Sequence, residues 1–130
     1  MDGTDEGDER TLAWLRDVCL AFPEAVEARL QDRPLFVVRR RRFALLNGVS
    51  SPPRPRWAGC GRSVHVLTAP EERSALAADP RFTPSPHHGD RGWLAVDPVA
   101  VTRTELAELL DAAYRVAAPA TLVARLDQGD

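Results

Sequence analysis

The chain has no lysine and no isoleucine, one tyrosine, one methionine and only two cysteines in 130 residues. Two cysteines, Cys19 and Cys60, cannot build the disulfide framework of a small secreted domain, and Cys19 falls on the apolar face of a predicted helix. The expectation is a reduced, cytoplasmic protein. No segment reaches the ~20 apolar residues that span a bilayer, and the N-terminus is acidic where a secretory signal would be basic. Neither membrane insertion nor export is expected. The phosphate-cradling patterns GxGxxG and GxxxxGK(S/T) are both missing, which removes the main signal for a nucleotide-binding parallel sheet. All 17 basic residues are therefore arginine, and alanine occurs 19 times, the bias of a GC-rich bacterial genome. Arginine enrichment that elsewhere points to phosphate recognition is here partly what a lysine-free chain must use.

What is present is an ordinary globular composition, 44% apolar and 28% charged, of a length that fits one domain. The net charge of −2 hides an uneven distribution. Residues 1–10 carry five acids against Arg10 in a Gly-containing stretch that reads as a disordered leader, and 127–130 read as a short disordered tail. The domain is then 11–126. Within it, residues 29–66 hold nine arginines and a single acid, Asp32, a local charge of +8.

Apolar spacing places the elements. Leu12, Leu15, Val18, Cys19 and Phe22 recur at helical intervals, predicting a helix over about 9–21. Val26, Ala28 and Leu30 alternate with polar residues as in a half-buried strand, and Leu35 to Val38 and Phe43 to Leu46 read as a hairpin with Arg39 to Arg42 at its tip. Residues 47–62, with three prolines and three glycines, form a long loop before a strand at Val64 to Leu67. Thr68 with Glu71 predicts a capped short helix ending before Pro80, Trp93 to Val96 predict a last strand, and Thr102 with Glu105 is a second capping box opening a long helix. The order implies an α+β fold, an antiparallel sheet of about five strands with helices packed on one face.

Phe22-Pro23-Glu24, Arg33-Pro34-Leu35-Phe36-Val37-Val38, Arg42-Phe43-Ala44, Pro70-Glu71-Glu72-Arg73, Phe82-Thr83-Pro84-Ser85-Pro86, Gly92-Trp93-Leu94-Ala95-Val96-Asp97 and Tyr114-Arg115-Val116-Ala117-Ala118-Pro119 follow one another in fixed order. In this the chain resembles the MmcQ/YjbR family over about Leu12 to Leu122. The resemblance implies a CyaY-like, or secretion-chaperone-like, α+β fold and a non-enzymatic DNA-binding role through a double-wing arrangement of strands. Gln31-Asp32-Arg33 and the Pro-rich loop depart from the family pattern.

The sharpest candidate is the Arg39 to Arg42 run. Four like charges at a tip repel one another, and none is the Gly or Asn that a tight primed turn prefers. One reading lays Arg39, Arg40, Arg41 and Arg42 along a phosphate backbone, with Arg54, Arg56 and Arg62 as further contacts. The other is a solvated turn whose arginines pair with acids such as Glu27 or Asp32. Trp57 and Trp93 are candidates for stacking on a base or planar ligand, against the simpler roles of sheet lid and core residue. His87-His88 lack a second ligand pair at metal spacing, and Cys60 with His65 lacks an orienting group, so no metal, cofactor or catalytic set is expected. The alternatives to DNA are a protein or peptide partner and a small molecule, with the chain a monomer or homodimer.

Overall fold

The computed structural model describes residues 3–30, 33–47, 63–84 and 92–129. Among these residues, four helices and six strands run in the order α1 (Gly3–Cys19), β1 (Ala25–Leu30), β2 (Arg33–Val38), β3 (Arg41–Asn47), β4 (Ser63–Leu67), α2 (Pro70–Ala77), β5 (Phe82–Pro84), β6 (Trp93–Val96), α3 (Arg103–Ala117) and α4 (Ala120–Asp127). The strands form one sheet in the order β1-β2-β3-β4-β6-β5, with every pair antiparallel. The α+β architecture expected from the sequence is present. A sixth strand was not expected: β5 has only three residues, one of them Pro84, too short to show an alternating pattern. Helix α1 begins well before residue 9 and takes in most of the acidic leader.

Side-chain alternation sends Phe36 and Val38 of β2, Val64 and Val66 of β4 and Leu94 and Val96 of β6 into one core with the helices. Helix α3 contributes Leu106, Leu110, Ala113, Tyr114 and Ala117, which fall on one stripe of a 3.6-residue period. Its N-terminus carries the expected capping box, with Thr102 Oγ1 accepting from the Glu105 amide and the Glu105 carboxylate accepting from the Thr102 amide. Trp14 of α1 packs at the margin of this core beneath the Arg103 guanidinium, 4.7 Å from the ring centre. Cys19 is fully buried there, and burial pushes its thiol far above the usual range.

Strand β3 holds one residue more than its partner. The register passes from Phe36 opposite Ala44 to Val37 opposite Arg42, leaving Phe43 as a bulge. Both Phe43 and Ala44 thereby reach the core. Phe43 and Phe22 surround Tyr114, Phe22 stacked at 4.7 Å and Phe43 edge-on at 5.6 Å. The Tyr114 hydroxyl donates to the Pro23 carbonyl at 2.7 Å, joining residues 91 apart in sequence. The opposite sheet face is also buried, with Leu35, Leu45 and Trp93 in a smaller cluster beside buried Arg33, Ser63 and His65.

The start of α2 differs from the capping box expected at Thr68. The cap is Ala69, without a side-chain bond, and Pro70 supplies the first turn. Thr68 is occupied elsewhere: its amide and hydroxyl both donate to the Gly92 carbonyl, and it accepts a hydrogen bond from Arg73 Nε at 3.3 Å. Arg73 also donates to the Thr68 carbonyl at 3.1 Å and lies against Gly92, whose φ is +89°. A Cβ at Gly92 would collide with that guanidinium in a backbone region L-residues avoid. Gly92→Ala is expected to destabilise the fold by about 1–3 kcal/mol in urea unfolding. Tyr114→Phe, which leaves the buried Pro23 carbonyl without its donor, is expected to cost about 1–2 kcal/mol in the same measurement.

Candidate nucleic-acid interface

The β2–β3 connection is as short as a hairpin allows. Val38 pairs with Arg41, so Arg39 and Arg40 alone make the turn, with φ of +49° and +70°. Positive φ at both central residues marks a type I′ turn, whose twist matches the strands but which favours Asn and Gly. Two arginines in this conformation carry a strain of about 1–2 kcal/mol each. Glu24, also at positive φ (+60°), holds the turn from outside. Its carboxylate accepts a two-pronged contact from Arg39, with Nη2 to Oε2 at 2.9 Å, and lies 3.6 Å from Arg125 of α4. Glu24 directly follows Pro23, the residue bonded to Tyr114, so the aromatic core fixes where this carboxylate stands.

The four arginines therefore divide. Arg39 is tied back to the body of the protein, while Arg40, Arg41 and Arg42 are exposed and no carboxylate among the described residues is within ion-pair distance of them. The acid named as a sequence-level partner, Glu27, is bound instead to Arg16 through two hydrogen bonds of 2.7 and 3.0 Å. The pleat separates the remaining three. Arg41 stands opposite core-facing Val38, and Arg42 opposite Val37 of the other face, so the two flank the ribbon with Arg40 at its apex. Such an arrangement presents positive charge to both sides and the front of the hairpin. It suits a groove between two lines of negative charge.

Other sequence candidates fall elsewhere. Arg54, Arg56, Arg62, Trp57, Asp32, Cys60, His87 and His88 lie outside the described residues. Trp93 is buried on the sheet face away from the helices, against Leu35 and Leu45, with little ring surface available for stacking. On that face Ser63 Oγ and His65 Nε2 are 2.9 Å apart, both buried. Among the described residues no group of three or more His, Cys, Asp and Glu side chains is placed to hold a metal ion. No helix of the described chain is long and apolar enough to cross a membrane. Sequence reasoning missed Glu24 and Arg125, since nothing in local spacing joins residue 24 to residues 39 and 125. The one available signal was an isolated acid directly after Phe22-Pro23.

The hydrogen bonds from Arg39 hold the Glu24 carboxyl below the usual carboxylate range. A lowered folded-state value means that this contact is fully present above the ordinary value of about 4.3 and is lost as pH falls through the lower folded one. The amide resonances of Arg39 and Arg40 are expected to shift cooperatively below pH ~4.3. In Glu24→Gln that transition should vanish from an NMR pH titration.

Comparison with known proteins identifies the family and the fold. The YjbR family model matches residues 20–116, a span that includes all six strands, α2 and most of α3. A solved structure of Deinococcus radiodurans protein DR2400, described with domain DUF419, superposes with a TM-score of 0.61 at 26% identity, covering 77% of this chain and 72% of that one. A protein from Pseudomonas syringae gives a TM-score of 0.61 at 14% identity, covering 85% of this chain and 97% of its own, a likeness of fold alone. No functionally curated protein matches the sequence. With the family model covering most of the chain and the hairpin, bulge and aromatic cluster all inside the matched span, the protein belongs to the YjbR family.

Proposed function

We propose that this protein binds DNA without chemically transforming it, through the tip of the β2–β3 hairpin. The observation that carries the reading is the set of three consecutive exposed arginines, Arg40 to Arg42, without carboxylate partners among the described residues and disposed on the apex and both flanks of one two-residue turn. A two-stranded ribbon fits the ~12 Å width of the duplex major groove, where Arg41 and Arg42 would each meet one phosphate backbone and Arg40 the groove floor. Tethering of Arg39 by Glu24 keeps the turn in one conformation before DNA arrives, so less ordering is needed on binding. Arg54, Arg56 and Arg62, outside the described residues, belong to the same +8 stretch of sequence. The setting proposed is the cytoplasm of a bacterium, in keeping with a chain that carries only two cysteines.

Contacts to ~3 phosphates predict a slope of about −2.7 for log affinity against log salt on duplex DNA, and a shallower one of about −2.1 on single strands. Fluorescence anisotropy with a short duplex across a salt series measures it. Replacing Arg40, Arg41 and Arg42 together by serine should flatten the slope towards zero and weaken binding at least ~10-fold at low salt. Equal affinity for the wild type and the triple variant would overturn the assignment.

A further inference from the structure

A second feature lies at the far corner of the molecule. The register runs from Asn47 opposite Ser63, through Val64 opposite Val96, to Val96 opposite Phe82. Phe82 is thus at the sheet end away from the Arg39-Arg40 turn, on the β5 edge. There α2, β5 and the first half of α3 enclose a groove of about 220 Å³. Its floor is apolar, made by Leu76, Phe82, Val101 and Leu109, and its rim carries Glu72, Asp79, Glu105 and Glu108 with, among the described residues, a single cation, Arg81.

Arg81 does not neutralise this rim. It is saturated by Asp79, with Nη2 to Oδ2 at 2.9 Å, by Glu105, with Nη1 to Oε2 at 3.2 Å, and by the Ala100 carbonyl at 3.3 Å. Glu105 is further engaged in the α3 capping box. Two carboxylates are left over, Glu72 on α2 and Glu108 on α3, both exposed and without an ion-pair partner among the described residues. They stand on separate walls of an apolar depression.

We propose that this groove binds a small organic ammonium ion, an amine attached to a compact apolar body such as an aromatic ring. Charge complementarity selects the cation: the described lining residues sum to −3, and the two uncompensated acids come from different helices, α2 and α3. The floor selects the body, since a hydrated inorganic cation gains nothing from Leu76, Phe82 and Leu109, whereas an aryl or alkyl group leaves water there. Volume sets the size, because about 220 Å³ falls below the ~300 Å³ at which drug-sized sites begin. The site is independent of the hairpin tip and of any DNA it binds.

The test is an amide-resolved NMR titration of the full chain with 2-phenylethylamine, with 2-phenylethanol as the neutral analogue and methylammonium as charge without a body. Saturable shifts are expected at Leu76, Phe82, Val101 and Leu109 with the amine. Loss of one exposed ion pair, in Glu72→Gln or Glu108→Gln, should weaken it by up to about fivefold, and 2-phenylethanol should bind at least as weakly as either variant does the amine. Both glutamates are exposed, so unchanged spectra elsewhere report that the variants fold. Serine at Arg40, Arg41 and Arg42 should leave amine binding intact, which separates this site from the DNA assignment. Shifts that never saturate, an equal response to methylammonium, or unaltered affinity in both glutamine variants would each refute the proposal.

Discussion

The hydrogen bond from Tyr114 to the Pro23 carbonyl is the constraint on which the arginine tip depends. The chain has one tyrosine, and its ring lies between Phe22 of the α1–β1 connection and Phe43 of the β3 bulge. Phe43 reaches that position only because the bulge turns two successive residues inward. The hydroxyl then fixes Pro23, Glu24 follows it with a left-handed backbone, and Glu24 takes hold of Arg39. A buried aromatic cluster thereby dictates the geometry of a surface turn that has no glycine of its own.

Most of the architecture was legible because alternation and helical spacing are local. The hairpin around Arg39-Arg40, the strands at Val64 and Trp93, and the Thr102–Glu105 capping box can each be read within a window of a few residues. What was not legible depends on contacts between distant segments. Thr68 looks like a cap by spacing, yet its hydroxyl is claimed by Gly92, 24 residues away. Strand β5 is three residues that take extended form only because β6 is beside them. The four arginines read as one patch, and only the pleat and Glu24 divide them into a tether and three cations without a carboxylate partner among the described residues. The groove beneath Glu72 and Glu108 joins two helices and a strand and leaves no trace in any single stretch.

Two acidic stretches lie away from the arginine turn. Helix α1 delivers its C-terminal end to the start of β1, the sheet end that bears the arginine turn, while Trp14 packs beneath Arg103 at the start of α3. At a rise of ~1.5 Å per residue, the ten residues from Glu9 to Cys19 carry the acidic leader about 15 Å back along the helix axis. The acidic groove is at that distant end as well.

Cys19 gives the fold a clock. The thiol is sealed at the C-terminal end of α1, with its ionisation suppressed by burial, so a thiol reagent reaches it only when that helix lifts from the sheet. Its rate of labelling therefore reads the opening frequency of the same α1–β1 corner that holds Phe22 and Pro23, and through them the arginine turn.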